Sequence, residues 1–265
     1  MPATASVVVS FSSNERIFLD ALLTEAVKFA KEVVVSYGSH FFDGTPEDTE
    51  WMDSKAQEWL ERSGSVVKFI CYSVTRDIEN NPLTYRPHAY WHNISRIEGV
   101  NALDKEVDYV FFVDGDEIAE GDLLNTWLTR TEMSRQTAYM FANYWYFRNP
   151  RYQATSIESS ILMTPYSWVS SNEKAYNILM KNGERQEVEG VITGVVMSPN
   201  RPMFHHFSWV RSKSELLRKV ATWGHKGDKD WSALIEKEFS GEFEGRDFVH
   251  GYEYKIVSNR WNITV

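Results

Sequence analysis

Residues 109 to 116 read Tyr-Val-Phe-Phe-Val-Asp-Gly-Asp, YVFFVDGD. The apolar run Tyr109 to Val113 shows no polar alternation, so the strand it predicts is buried on both faces. Such strands belong to sheets with helices packed on either side. The run ends on Asp114-Gly115-Asp116, and in open α/β sheets ligands collect beyond the carboxyl ends of strands. Residues i and i+2 of an extended segment point the same way, so both carboxylates can face one cation. Hard oxygen donors suit Mg2+ or Mn2+, and Gly115 lets a ligand approach the backbone. The competing reading is an acidic turn whose Glu117, Glu120 and Asp122 complement the N-terminus of the next helix.

Upstream, Ser6 to Phe11 (SVVVSF), Val33 to Val35 and Val66 to Tyr72 (VVKFICY) are apolar, β-branched runs that predict strands. Helical spacings lie between them. Ser12 and Glu15 form a capping box ahead of Ile17, Phe18, Ala21, Leu22, Ala26 and Phe29. Thr45 as cap and Pro46 at the first position precede Trp51, Ala56, Trp59 and Leu60, with Gly64 as the stop. Tyr90, Trp91, Ile94, Ile97 and Val100 form a stripe within Pro87 to Ala102. Strand, helix and strand without a hairpin signal require parallel pairing. Downstream, Tyr139 to Arg148, Ser160 to Met163, Met203 to Trp209 and Tyr252 to Val257 predict strands, and Glu184 to Met197 is mixed. Ser212 and Glu215 open a capping-box helix to Trp223, and a short helix covers Trp231 to Phe239. The expectation is one α/β domain over 1–265, with a mostly parallel central sheet flanked by helices and a less regular second half from 121 onward.

With Lys plus Arg at 28 and Asp plus Glu at 37, the 265 residues carry a formal net charge of −9. A chain this acidic, without blocks of like charge, is a poor phosphate-backbone binder, so nucleic acid is not an expected partner. A lone Cys71 allows no internal disulfide and points to a reducing compartment. No apolar run approaches the roughly 18 residues of a membrane span, and the start of the chain lacks signal-peptide character. A cytoplasmic protein without a transmembrane segment is expected. Aromatic residues make up 14% of the chain; core packing accounts for most such residues, while Trp145, Tyr146, Trp168 and Trp209 are candidates for stacking on a flat, amphipathic ligand.

Three stretches, in order over the first 120 or so residues, resemble the GT-A fold of nucleotide-sugar glycosyltransferases, nearest to glycosyltransferase family 2. VVVSYGSHFFDGTPE (Val33 to Glu47) resembles that family's second-strand segment, SRIEGVNALDKEVDYVFFV (Ser95 to Val113) its arginine, small helix and strand, and Asp114-Gly115-Asp116 its DxD metal motif. HHFSWVRS (His205 to Ser212), with Glu117-Ile118 after the DxD, adds a weaker likeness to the β-1,4-mannosyl-glycoprotein N-acetylglucosaminyltransferases.

The resemblance implies a Rossmann-like nucleotide-sugar-binding half (1–120) and an acceptor-side half (121–265). It implies that Phe11, Asn14 and Glu15 edge the nucleotide pocket, Tyr37 and Asp43 lie near base and ribose, and Arg96 lies near the phosphates. Asp114 with Gly115 would meet the ribose or the metal, and Asp116 would bind the metal. His206, or His205, would be a third metal ligand; an Asp/His set leans towards Mn2+ over Mg2+. The implied activity is metal-dependent transfer of one hexosyl or N-acetylhexosaminyl unit from a UDP- or GDP-sugar to a hydroxyl of a glycan or glycoconjugate, with inversion. A general base is then required; Glu187 and Glu189 are the candidates, with Glu158 in reserve, and Arg211, Lys213, His225 and Lys226 are basic groups able to assist. Three departures stand out: Ser36-Tyr37 replaces the usual acidic pair, no QxxRW motif is present, and no Glu-Asp pair marks the base. The rival readings are a sugar nucleotidyltransferase, although FSSNER after the first strand has no glycine, and a non-catalytic carbohydrate-binding protein.

Overall fold

A computed structural model describes residues 2–41, 44–73, 87–104, 106–175, 196–197, 201–223 and 227–265. The first half alternates as its apolar runs predict: β1 (Ala5–Phe11), α1 (Leu19–Ala26), β2 (Ala30–Gly38), α2 (Thr49–Ser63), β3 (Val67–Tyr72), α3 (Pro87–Asn101) and β4 (Tyr109–Asp114). These strands are parallel neighbours in the order β3-β2-β1-β4. Val7, Val9, Phe111 and Val113 pack into one core with α1 and α2, while Val8, Val110 and Phe112 pack with Ile97 and Val100 of α3 on the other face. Two buried faces explain why the runs lack alternation, and each large apolar side chain buried there stabilises the fold by roughly 1.5–3 kcal/mol.

The second half extends the same sheet. It comprises β5 (Glu117–Ala119), α4 (Gly121–Arg130), β6 (Tyr139–Phe147), β7 (Tyr152–Pro165), the single turns α5 (Tyr166–Val169) and α6 (Asn172–Ala175), β8 (Phe204–Trp209), α7 (Lys213–Thr222), α8 (Trp231–Glu238) and β9 (Tyr254–Ile256). Beyond β4 the order is β7-β6-β8-β5, with β9 on β7. Antiparallel pairs dominate here, although β6 and β8 run parallel. The fold is therefore the expected α/β sheet flanked by helices, and its less regular part is the second half. Most of the aromatic excess is core: Trp145, Phe147, Trp209 and Trp231 pack against Leu216, Val220 and Ile235, and Tyr146 is buried as well.

Several local expectations are corrected. Ser12 caps a single 3-10 turn (Ser13–Glu15), and the helix proper starts at Leu19 without a side-chain cap. The cap of α2 is Asp48, which accepts from the Trp51 amide at 3.2 Å; Pro46 instead bridges to His40. Leu60 faces solvent at 50% exposure, and Met52 and Trp59 form the buried face. The α7 capping box forms as predicted from Ser212 and Glu215.

Candidate functional site

The strand order creates the site. From β1 the chain moves outward through β2 to β3, then returns to place β4 on the other side of β1. The carboxyl ends of β1 and β4 lie side by side, with Ser10 opposite Asp114. A crevice at such a reversal is where open α/β sheets bind ligands. A cleft of about 310 Å³ opens there, between Ser10 to Glu15, the Asp114–Asp116 turn, His92 of α3, and His206, Ser208 and Lys219 from the second half.

Asp114 Oδ1 lies 3.0 Å from His92 Nε2 and 3.6 Å from Arg96 NH2. Arg96 is buried, and it donates to Asn93 Oδ1 at 3.1 Å. The turn is closed by Glu117 Oε2, which accepts from the Asp114 amide at 2.7 Å. Asp116, 4% exposed, is held harder. Its Oδ2 accepts from Lys219 Nζ at 2.9 Å and Arg211 NH2 at 3.1 Å, and its Oδ1 faces His206 Nε2 at 3.4 Å. Burial alone would raise the Asp116 carboxyl, but Lys219, His206 and Arg211 together hold it well below the usual carboxylate range. Burial likewise lowers His206, yet the hydrogen bond and charge of Asp116, with Glu117 and Glu158 beyond, leave it raised. Glu15 shares the cluster through Arg211 NH2 at 3.2 Å; burial pushes its carboxyl up against the pull of Lys219 and Arg211.

This arrangement does not fit a divalent cation held by Asp114, Asp116 and His206. Both oxygens of Asp116 face nitrogen groups of the protein, and no group of three or more His, Cys, Asp or Glu among the described residues is disposed to hold a metal ion.

Strand alternation separates the two histidines. His206 lines the cleft, whereas His205 points to the opposite face. There its Nδ1 lies 2.7 Å from Tyr146 Oη and its Nε2 lies 3.2 Å from Glu120 Oε1. Glu120 also receives Arg201, at 2.5 and 2.7 Å, and Arg260 at 2.6 Å. Burial would raise Glu120, but His205, Arg201 and Arg260 bring it far below its ordinary value. A depressed folded-state value stabilises above the unfolded value, about 4.3 for Glu, and the contribution is lost as pH falls through the folded value. Glu120→Gln is accordingly expected to be less stable than wild type at neutral pH, with the gap narrowing below about pH 4.3. Urea titrations at both pH values check this; a gap that stays constant contradicts it.

Glu120 occupies the N-cap position of α4, but its side chain makes no capping hydrogen bond. Glu117 and Glu120 are spent as described, and the first amide of α4, Gly121 N–H, donates to Glu25 Oε2 at 2.8 Å. Of the three acidic residues, only Asp122 stays in the helical first turn, where it pairs with Lys28 at 3.0 Å.

Phe11, Asn14, Glu15, Asp114, Gly115, Asp116 and His206 all reach the cleft, and Arg96 stands behind Asp114. Tyr37 does not: its hydroxyl turns to Asp53 of α2 at 3.2 Å. Asp43, Glu187, Glu189, His225 and Lys226 lie outside the described residues. Lys213 pairs with Glu236. His92 and Lys219 were not singled out by the sequence. His92 sits one turn before Arg96 on the same helix, and Lys219 sits on the apolar face of α7 between Leu216 and Val220. An inward lysine on an amphipathic helix is the signal that was available.

Gly115 serves packing. A Cβ there would stand 2.7 Å from Phe11 Cδ2 and 2.9 Å from Glu15 Cβ. Gly115→Ala is expected to cost about 1–3 kcal/mol by overpacking, read as a lower denaturant midpoint; an unchanged midpoint contradicts the close packing. Three cleft-lining groups are buried without a hydrogen-bond partner among the described residues: Ser10 Oγ, Asn14 Oδ1 and His206 Nδ1. An unsatisfied buried polar group costs about 1–3 kcal/mol.

No protein-family model and no curated protein matches the chain. Among solved structures it is similar to the 4-diphosphocytidyl-2C-methyl-D-erythritol synthase of Anaerococcus prevotii, at 10% identity over 83% of this chain and 96% of that one, with a TM-score of 0.42. It is similar to the glycosyltransferase GlyE of Streptococcus pneumoniae, at 12% identity over 90% of this chain and 63% of that one, with a TM-score of 0.38. It is also similar to S. aureus TarS 1-349 in complex with UDP-GlcNAc, at 12% identity over 89% and 73%, with a TM-score of 0.39.

Proposed function

We propose that the chain is a glycosyltransferase that moves one hexosyl or N-acetylhexosaminyl unit from a UDP- or GDP-sugar to a hydroxyl of a glycan or glycoconjugate. The observation that carries this reading is the cleft at the β1/β4 reversal, lined by the Asp114–Asp116 turn and by Ser10, Asn14 and His206, each of which keeps a buried polar atom without a partner among the described residues. Such groups are satisfied by a polar ligand.

Inverting transfer needs a base on the acceptor side. Glu158 of β7 offers one: its Oε1 lies 3.6 Å from His250 Nε2, and the Trp145 ring stands edge-on between His250 and His206, with centroids at 4.8 and 4.9 Å. The acceptor hydroxyl gives its proton to Glu158, and its oxygen forms the new bond to the anomeric carbon. The bond from that carbon to the diphosphate oxygen breaks, and its electron pair leaves with the nucleoside diphosphate.

One observation disfavours nucleotidyl transfer. A triphosphate loop needs free backbone amides, but Ser13 N–H donates to Glu47 Oε2 at 3.0 Å and Glu15 N–H to Ser12 O at 3.0 Å. The test is product analysis with UDP- and GDP-sugars and a glycan panel. Glycosyl transfer releases nucleoside diphosphate. Pyrophosphate release from a nucleoside triphosphate and a sugar phosphate would favour the nucleotidyltransferase, and binding without turnover would favour a carbohydrate-binding protein.

A further inference from the structure

We infer that Lys219 supplies the positive charge at the diphosphate position of this cleft, in the place where a divalent cation would otherwise stand. The inference rests on the proposed nucleotide-sugar site. Asp116 is the carboxylate that a bridging cation would need, and it is already neutralised from inside the protein, with Lys219 at 2.9 Å and Arg211 at 3.1 Å on one oxygen and His206 at 3.4 Å facing the other. A dication placed against that carboxylate would meet an ammonium and a guanidinium at close range, and like charges in a poorly solvated site repel strongly.

The two cations differ in availability. Arg211 is 1% exposed and is anchored through Nε to Asn14 O at 3.0 Å and through NH1 to the Phe207 and Ser208 carbonyls. It is a fixed support. Lys219 lines the cleft, and its three donors go to Asp116 Oδ2, Ser208 O at 3.1 Å and Ser208 Oγ at 3.2 Å. Ser208 also lines the cleft. A phosphate oxygen taking the place of the Ser208 hydroxyl keeps the Lys219–Asp116 pair intact and adds a charge-assisted hydrogen bond. His206 lines the same cleft, and its Nδ1 is buried and without a partner among the described residues.

The experiment is calorimetric titration of UDP and GDP into wild type and Lys219→Ala, each in EDTA and in excess Mn2+. Wild type is expected to bind one of the two with affinities in EDTA and Mn2+ that agree within about twofold, less than the 1.4 kcal/mol of a tenfold change. Lys219→Ala is expected to lose about tenfold or more in EDTA and in Mn2+ alike, because Arg211 and His206 still hold Asp116. Lys219→Arg should retain metal-free binding. Wild-type binding that appears only with Mn2+ overturns the inference while leaving the nucleotide site standing, and this arm needs no variant to fold. Failure of both nucleotides in both buffers removes the nucleotide site itself, and the inference with it.

Discussion

Arg211→Ala is expected to destabilise the protein by about 3–5 kcal/mol, the usual cost of breaking a buried ion pair and leaving its partner charge behind. Arg211 joins three segments that are far apart in sequence. It donates to Asn14 O and Glu15 beyond β1, to Asp116 beyond β4, and to the carbonyls of Phe207 and Ser208 in β8. Its guanidinium also lies over the Phe18 ring, 5.0 Å from the centroid. Lysine cannot replace a planar fork that serves several acceptors at once, so Arg211→Lys should recover little. Arg211→Ala combined with Asp116→Asn should recover part, because the stranded charge is then gone. Denaturant unfolding of the three variants decides the matter; a loss below about 1 kcal/mol for Arg211→Ala, the size of an exposed pair, would show that the cluster does not join the two halves.

Glu158→Gln is expected to reduce turnover by about 10²–10⁴, the contribution of a positioned general base, with nucleotide affinity unchanged. The separation follows from placement. Glu158 sits across Trp145 from His206, beside His250 and Tyr252, outside the lining of the nucleotide cleft. An isosteric amide keeps the packing and removes only the proton acceptor. The split between unchanged calorimetric affinity and reduced kcat distinguishes a base from a structural carboxylate. Full activity in Glu158→Gln would assign the proton to another group.

The parts of the fold that were legible are those in which side-chain burial alone sets the pattern. SVVVSF and YVFFV are buried on both faces by α1, α2 and α3, and they read as central strands because nothing polar interrupts them. The Asp114–Asp116 turn was legible for the same reason, since the apolar run fixes where the strand ends. His206 against His205 was open, and strand alternation resolved it once β8 was paired with β5 and β6.

Other features depend on partners distant in sequence. β7 runs from Tyr152, yet only its last residues are uniformly buried, and the polar stretch before them is held by backbone pairing to β6 and β9. Ser12 and Glu15 have capping-box spacing, and Ser12 Oγ does donate to Glu15. The helix nonetheless starts later, because the Ser13 amide goes to Glu47 and the Glu15 carboxylate turns to Arg211. Tyr37 turns to Asp53 for a similar reason, since its buried hydroxyl finds its acceptor in α2 rather than in the cleft. A DxD reads as a cation site until the lysine that faces it is brought in from a helix 103 residues away.

The most direct test of the central claim, that the β1/β4 reversal holds a nucleoside diphosphate, is photolabelling with azido-uridine and azido-guanosine diphosphates followed by peptide mapping. The account predicts labelling by one of the two, competed by its unlabelled counterpart, on peptides carrying Phe11 to Glu15, His92 to Arg96 or Lys219 to Trp223. Competed labelling confined to peptides elsewhere, or no competed labelling by either probe, would contradict it.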